Sequence, residues 1–303
     1  MTRVRLALVG AGRMGSAHVR ALSAGHDVEL AAVVEPSDEA ARRSGIARRH
    51  RDVDELLAVG GVDGAIVAAP TRLHAPLVAQ LLEARLPVLC EKPCGLRSDE
   101  TRALARRAVE AGVPLHVGYW RRFVFALRAL RAEIAAGSFG DVELVACAQW
   151  DESPPPAAFR DPASSGGILV DMGVHELDQL RWLTGQEPEA ITAIASGAEV
   201  DGDPDSVILG LRLGGGALGT ASLLRRHPPG DLCRVEVVGS RKVVRLDFLA
   251  PADGEQAFLA ALRAQAADFA AAIAGGPAHG ASPDDAVRAL EIAESAAVAL
   301  AAR

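Results

Sequence analysis

In the first third of the chain, short apolar runs alternate with stretches of helical periodicity. The runs have the length of buried strands, and they lie at 4–9, 28–34, 64–68, 87–90 and 114–117. Helices are predicted between them over 13–24, 73–84 and 98–111, with Ser98 as the N-cap of the last one. Strands that alternate with helices in this way indicate a doubly wound parallel sheet of about six strands.

The pattern of hydrophobic positions changes after Gly118. A helix is predicted over 123–135, and the following segments either alternate or run apolar, with glycine-rich turns between them. Such segments predict a large, open and mostly antiparallel sheet, with strands at 141–150, 189–196, 207–213, 217–224, 234–238 and 242–248. Two alanine-rich helices are predicted near 255–274 and 283–301. The predicted fold class is therefore an α/β domain followed by an α+β domain.

The turn after the first predicted strand has the spacing G-x-G-x-x-G, in Gly10-Ala11-Gly12-Arg13-Met14-Gly15. Between a strand and a helix, this motif is typical of a dinucleotide-binding Rossmann domain. Gly10 permits the tight turn, Gly12 lets the backbone approach a pyrophosphate, and Gly15 allows the helix to pack closely on the strand. The helix N-terminus then offers free amides and the positive end of its dipole to the phosphates.

Glu35 stands 25 residues after Gly10, where the second strand is predicted to end. A carboxylate there can accept hydrogen bonds from ribose hydroxyls and would repel a 2′-phosphate, which favours NAD over NADP. The alternative is that Glu35 only caps the helix that follows. Polar groups also follow two further strands, in Pro70-Thr71-Arg72-Leu73-His74 and Glu91-Lys92-Pro93. Ligands of such sheets bind beyond the carboxyl ends of the strands.

Composition excludes several classes of protein. The formal net charge of −7 argues against nucleic-acid binding, and no apolar run approaches the roughly 18–20 residues of a membrane span. The N-terminus lacks the apolar region of a signal peptide. The four cysteines are too few and scattered for a disulfide framework, and no second metal-ligand pair accompanies Cys90 and Cys94. We expect a cytoplasmic protein of two domains without a metal.

One segment, Gly166–Leu183, places a histidine between two aspartates. If it is helical, Asp171, His175 and Asp178 occupy positions i, i+4 and i+7, within roughly 60° of one another on one face. The leucines of the segment would then point toward a core. An Asp/His/Asp face of this kind could move a proton, and it could equally be an ordinary solvated helix face.

Together these motifs resemble the Gfo/Idh/MocA oxidoreductase family over nearly the whole length of the chain. The resemblance rests on the glycine turn, the 70–74 loop, Glu91-Lys92-Pro93, the stretch Gly118-Tyr119-Trp120-Arg121-Arg122-Phe123, and the 166–183 segment. Within the family, the last of these is most similar to bacterial inositol 2-dehydrogenases, although sugar dehydrogenases share much of it.

The resemblance implies a catalytic set of Lys92, Asp171 and His175. Oxidation of a secondary alcohol requires removal of the hydroxyl proton as hydride leaves the carbon. A neutral imidazole, which titrates near ~6.5, is suited to take that proton. Lys92 would stabilise the developing alkoxide, and Asp171 would orient the imidazole or the substrate. The alternatives are a surface lysine for Lys92 and a structural N-cap for Asp171.

The resemblance also implies two sets of binding residues. The cofactor set, for NAD, is Gly10, Gly12, Arg13, Met14, Gly15, Glu35, Pro70, Thr71, His74, Glu91 and Lys92. The substrate set is Lys92, Arg121, Arg122, Asp151, Asp171, His175 and Asp178, with one of the two arginines facing the substrate. A salt bridge is the alternative for Asp178, and a hydrogen-bonded loop histidine is the alternative for His74.

For the whole chain, the resemblance implies an NAD-binding domain over 1–118 and a substrate-binding and oligomerisation domain over 119–282. The helix over 283–303 is expected to pack back on the first domain. The open sheet is expected to pair with that of a partner subunit in a homodimer or homotetramer. The expected activity is NAD-dependent oxidation of an inositol-like cyclic polyol or a sugar. The alternatives are a family member that retains NAD through a net non-redox reaction such as glycoside cleavage, and a non-catalytic NAD(H)-binding sensor.

Overall fold

The computed structural model describes residues 3–23, 25, 27–156, 160–196, 199–200, 203–249 and 253–301. The chain divides into two compact units. The first combines the residues up to Trp120 with Leu259–Val287, and the second combines Arg121–Phe258 with the residues from Arg288 onward. Because the division falls inside the last helix, the assignment of 283–303 as one piece to the first domain stays a prediction. Among the described residues, no helix has the length and apolar character needed to cross a membrane.

The first unit is built on a six-stranded sheet in which every neighbouring pair is parallel. Its strands are β1 (Val4–Val9), β2 (Val28–Val34), β3 (Arg49–His50), β4 (Gly64–Val67), β5 (Val88–Cys90) and β6 (Leu115–Val117). Their order is β3-β2-β1-β4-β5-β6. This order reverses between β1 and β4, the arrangement that creates a ligand-binding crevice at the carboxyl ends of the strands. The predicted doubly wound parallel sheet is confirmed.

Helices connect these strands and cover the sheet. They are α1 (Arg13–Ser23), α2 (Asp38–Arg43), α3 (Val53–Val59), α4 (His74–Glu83) and α5 (Ser98–Ala111). The sheet is apolar on both faces, as parallel sheets covered by helices are, with Leu6, Leu8 and Leu89 fully or almost fully buried. The prediction that Ser98 caps α5 is wrong. The helix begins at Ser98 with Arg97 as its N-cap, and Glu100 accepts a hydrogen bond from the Leu96 amide at 2.9 Å.

The second unit contains a six-stranded sheet in which only β7 and β12 pair in parallel. Its strands are β7 (Val142–Trp150), β8 (Pro188–Ala195), β11 (Ser206–Leu213), β12 (Leu218–Leu224), β13 (Leu232–Gly239) and β14 (Val243–Asp247). Their order is β14-β13-β7-β12-β11-β8, and the short strands β9 (Glu199–Val200) and β10 (Asp203–Pro204) form a separate pair. The predicted mostly antiparallel sheet is confirmed.

One face of this sheet packs against the unit's helices. Every second residue of β11 and β12 is buried, including Val207, Leu209, Ala221 and Leu223. The helical elements after β6 are a 3₁₀ turn (Trp120–Phe123), α6 (Phe125–Ala135), α7 (Pro162–Ser165), a π-helical turn (Leu169–Gly173) and α8 (Val174–Thr184). The last two helices of the chain are α9 (Gly254–Ile273) and α10 (Pro283–Ala301).

Candidate functional site

The glycine turn between β1 and α1 has the shape that a dinucleotide needs. Gly10 has a φ of +98°, and a Cβ there would lie 2.7 Å from the carbonyl oxygen of Ala68. A Cβ at Gly15 would lie 2.1 Å from the Gly10 oxygen, so the helix could not approach the turn. At Gly12, in contrast, a Cβ would meet nothing within 4 Å. Gly10 and Gly15 allow the backbone to pack closely, and the open side of the turn at Gly12 leaves room for a pyrophosphate.

Glu35 is bound to this turn at the end of β2. One carboxylate oxygen accepts the Ala11 amide at 2.9 Å, and the other accepts the Ser37 amide at 3.0 Å. Ser37, rather than Glu35, is the N-cap of α2, and its side chain accepts from the Ala40 amide. Because a carboxylate has about four acceptor positions, two amides leave capacity for ribose hydroxyls. These contacts fit an adenosine-binding role better than helix capping.

The other residues predicted for the cofactor lie around the same edge of the sheet. Arg13 begins α1 and is exposed, whereas Met14 is partly buried against the core of the first unit. Pro70 is exposed and precedes a 3₁₀ turn that begins at Thr71. Met14 therefore has a packing role beside any contact that its backbone makes.

His74 lies between two carbonyl groups. Its Nδ1 is 2.7 Å from the Pro93 oxygen, its Nε2 is 2.8 Å from the Ala69 oxygen, and the residue is buried. Burial lowers the pKa of His74, and the two carbonyl contacts and the charge of Glu91 oppose that effect. With both ring nitrogens on backbone oxygens, the ring links the loop after β4 to the loop after β5. This arrangement corresponds to the alternative considered for His74 in the sequence, a loop histidine held by hydrogen bonds.

Lys92 follows β5 and is half-buried, between the buried Glu91 and Pro93. The Lys92–Pro93 peptide bond is cis. Glu91 is buried, and its Oε1 lies 2.7 Å from Nε2 of His18, a fully buried residue of α1. A Cβ at Gly118 would lie 2.8 Å from the other Glu91 oxygen, so only glycine fits beside it. The Glu91 side chain thus fixes the segment of Lys92 to the helix of the glycine turn, a role that the sequence did not indicate.

In the second unit, Asp171 and His175 are carried by two different kinds of helix. Asp171 lies in the π-helical turn, and His175 lies in the first turn of α8. The prediction of a single α-helical Asp/His/Asp face is therefore wrong for Asp171, because a π turn contains more residues than an α turn. The alternative of a solvated face is wrong as well: every residue from Val174 to Leu183 is buried, and Asp171 is half-buried. Single π turns are frequent at functional sites.

The two arginines of the 3₁₀ turn are both buried and both bind carboxylates that flank His175. Arg122 donates from Nε to Oδ2 of Asp178 at 3.0 Å and from Nη2 to Oδ1 at 2.6 Å. Arg121 donates from Nη1 to Glu176 at 2.5 Å. Burial raises the pKa of Glu176, and the adjacent Arg121 guanidinium opposes that effect. The contact of Asp178 is the salt bridge that the sequence left as its alternative.

Arg121 also connects α8 to the end of β7. Its Nη2 donates to Oε1 of Gln149 at 2.8 Å, and Nε2 of Gln149 donates to Oδ1 of Asp151 at 3.1 Å. Asp151 is half-buried. A chain of polar contacts therefore runs from Glu176 through Arg121 and Gln149 to the predicted substrate residue Asp151.

Sequence reasoning missed several polar residues of these clusters: His18, Gln149 and Glu176. Each is recognised by its buried contacts with residues distant in the chain, and sequence spacing gives no signal of those contacts. Within the described residues, no group of three or more His, Cys, Asp or Glu side chains is arranged to hold a metal ion.

Comparison with known proteins identifies both halves of the chain. Residues 4–119 match a family described as an oxidoreductase family with an NAD-binding Rossmann fold, and residues 127–245 match the GFO/IDH/MocA C-terminal domain. The rhizopine catabolism protein MocA of Rhizobium meliloti is 47% identical over an alignment that covers 98% of this chain and 95% of that protein.

Two further similarities concern proteins named as inositol dehydrogenases. The myo-inositol dehydrogenase Hyg17 of Streptomyces leeuwenhoekii is 36% identical over 295 residues, covering 90% of this chain and 89% of that protein. The crystal structure of a myo-inositol dehydrogenase from Corynebacterium glutamicum ATCC 13032 has a TM-score of 0.89 at 28% identity, covering 99% of this chain and 97% of that one.

Proposed function

The chain belongs to the Gfo/Idh/MocA oxidoreductase family, and on that premise we propose that it oxidises a secondary alcohol of an inositol-like cyclic polyol with NAD. The observation that carries the proposal is the buried His175, which follows the half-buried Asp171 of the π-helical turn. A histidine in such surroundings is suited to proton transfer, and a sensor would have no need of it. The similarity to a myo-inositol dehydrogenase over 90% of this chain supports the substrate class.

The glycine turn and Glu35 would hold the cofactor. The amides at the start of α1 have no acceptor within the helix, and they would bind the pyrophosphate beside the open position at Gly12. Glu35 would accept hydrogen bonds from the adenosine ribose while its two backbone contacts keep it at the turn. When bound, NAD supplies the nicotinamide that accepts the hydride.

The chain's own residues would handle the proton and the charge. His175 takes the hydroxyl proton of the substrate, a task that commonly contributes about 10²–10⁴-fold to the rate. Lys92 stabilises the negative charge that develops on the substrate oxygen. Asp171 orients the imidazole or a neighbouring hydroxyl and favours the charged form of the histidine that results. We propose Asp151 as a further contact for a polyol hydroxyl.

A panel of inositols and aldoses, each assayed with NAD and with NADP, tests the proposed function. We expect NADH to form with at least one inositol and at a higher kcat/KM than with any aldose. A protein that converts a glycoside while it retains NAD, without net NADH, would instead be a non-redox member of the family. A protein that binds NAD and turns over none of these compounds would contradict the proposal and favour the sensor.

We also propose that the open face of the second unit's sheet pairs with a second copy of the chain. Leu218, Leu144, Val238 and Val243 are neighbours in register across four strands on that face. Leu218 and Val243 are 55% and 57% exposed. An apolar row of this kind is typical of surfaces that become covered by a partner.

A further inference from the structure

A buried ion pair lies at the amino end of the π-helical turn. Arg225 follows β12 and is fully buried, and its Nη1 donates to Oδ2 of Asp203 at 2.5 Å. The same carboxylate oxygen accepts the amide of Ile168 at 2.8 Å. Ile168 is the residue directly before the turn that contains Asp171. The position of this turn is thus determined by a carboxylate that Arg225 holds in place.

A glycine pair precedes the turn, and its second member allows the carboxylate to come so close. Gly166 and Gly167 have φ values of +80° and +71°, a conformation that other residues rarely adopt. A Cβ at Gly167 would lie 2.5 Å from Oδ1 of Asp203. Gly167 is therefore matched to Asp203, which lies 36 residues further along the chain, whereas a Cβ at Gly166 would lie 2.5 Å from the Cβ of Val170.

The charges of this cluster act on one another. Burial raises the pKa of Asp203, Arg225 and the Ile168 amide oppose that effect, and the negative charge of Asp171 raises the pKa further. Arg225 supplies the positive charge beside Asp203, at 2.5 Å from its Oδ2. Arg225 also donates its backbone amide to the Asp205 carbonyl, and the Asp205 carboxylate pairs with Arg226 at 3.3 Å.

We propose that Arg225 and Asp203 are positioning residues for the reaction: they hold the π-helical turn and balance the charge around Asp171 and His175. The inference rests on the proposed function for its kinetic consequences. Neither residue is assigned a contact with substrate or cofactor. Their effect reaches the reaction through the orientation of Asp171 and through the net charge beside it.

The two partners have opposite electrostatic effects, which gives the proposal a distinctive test. In Arg225→Met, Asp203 loses its cation, so above the pKa of Asp203 its negative charge is unbalanced and the acidic limb of the pH dependence of kcat/KM should move to higher pH. In Asp203→Asn, the arginine remains without its anion, and the limb should move to lower pH. A nearby negative charge favours the protonated form of a carboxylic acid and of an imidazole alike, so the sign is the same whichever kind of group determines the limb.

The experiment compares the wild type with Arg225→Met, Arg225→Lys, Asp203→Asn and the matched control Arg226→Met. We expect Arg225→Met to lower kcat roughly tenfold to a hundredfold, the scale of a small displacement of a catalytic group, with NAD affinity unchanged. Arg225→Lys, which keeps the charge, should restore the wild-type acidic limb. Arg226→Met removes the neighbouring exposed charge and should leave both kcat and the limb unchanged. A shift of the acidic limb in the same direction in Arg225→Met and in Asp203→Asn would overturn the proposal.

Hydrogen exchange provides a second readout that does not depend on activity. The peptide that contains Ile168 and the π-helical turn should exchange faster in Arg225→Met and in Asp203→Leu than in the wild type or Arg226→Met. Unchanged exchange in both variants would overturn the positioning role. If the wild type oxidises no member of the substrate panel while exchange responds as expected, the proposed function fails and the positioning of the turn stands.

Discussion

Arg122 holds Asp178 in a buried two-pronged ion pair, with distances of 3.0 Å from Nε to Oδ2 and 2.6 Å from Nη2 to Oδ1. The two side chains are 7% and 2% exposed. The pair joins the 3₁₀ turn before α6 to the helix that carries His175. Loss of the pair should therefore lower the stability of the fold, whereas loss of a substrate contact at Asp178 would weaken substrate binding.

We predict that Asp178→Asn destabilises the protein by about 3–5 kcal/mol, because it leaves the arginine as an uncompensated buried charge. Urea denaturation measures the loss. The Arg234–Asp247 pair has the same two-pronged geometry at a more exposed position, with side chains 24% and 39% exposed. Asp247→Asn is the matched control and should cost no more than about 1 kcal/mol. A stable Asp178→Asn enzyme with a raised KM for the polyol would instead assign Asp178 to the substrate.

A second prediction concerns the choice of cofactor. NAD should bind more tightly than NADP, and Glu35→Ser should narrow the difference because it removes the charge that repels a 2′-phosphate. Some NAD affinity should also be lost, since the serine cannot hold both the Ala11 and Ser37 amides. Glu35→Gln removes the charge but keeps an acceptor oxygen for the turn, so it separates the loss of repulsion from the loss of the backbone contacts. Titration of each variant with both cofactors gives the ratio of the NAD and NADP dissociation constants. A wild type that prefers NADP would refute this role of Glu35.

The parts of the fold that the sequence predicted are those with local signals. The strand at 4–9 and the glycine turn could be recognised because their patterns occupy consecutive residues. Strand β3 contains only Arg49 and His50, too few for a pattern. The five-residue π-helical turn at 169–173 could not be told from an α-helix, because a single turn is too short for its different period to show in the hydrophobic pattern.

The parts of the candidate site that were missed depend on contacts between distant residues. Asp203 and Ile168 are 35 residues apart in sequence, and Arg121 and Glu176 are 55 apart. The amino-acid sequence does not show whether a charged residue is solvated or buried against an opposite charge. The sequence therefore gave candidates such as Arg121 and Arg122 without their partners, and those partners make both arginines part of the buried framework around α8.

A third prediction concerns the open sheet face. If the apolar row of Leu218, Leu144, Val238 and Val243 is covered by a second copy, light scattering should give at least a dimer at micromolar concentration. Leu218→Asp should shift the protein toward the monomer, since it places a charge in a buried contact. Arg212→Asp, at the position that pairs with Leu218 in the sheet, tests whether any added carboxylate on this face has the same effect. A wild type that is wholly monomeric would exclude this assembly.

The last prediction concerns the catalytic set. His175→Ala should lower kcat by roughly 10²–10⁴-fold, the usual contribution of a positioned base. NAD affinity should be nearly unchanged, because the glycine turn and Glu35 lie in the first unit and the histidine lies in the second. Wild-type turnover should rise with pH as the imidazole loses its proton and becomes able to act as the base. Steady-state kinetics from pH 5 to 9, together with a cofactor titration, measure these effects.

Variants of the other two residues separate base, charge and orientation. Lys92→Ala should lower kcat severely, since it removes the cation beside the alkoxide, and it should also weaken substrate binding. The kcat of Asp171→Asn should lie between that of Lys92→Ala and that of the wild type, because the amide keeps the shape of the carboxylate without its charge. If His175→Ala keeps most of its activity with an unchanged pH profile, the histidine is not the base. Lys92 would then have to take the proton in its neutral form, and the segment around the π-helical turn would serve only to bind the substrate.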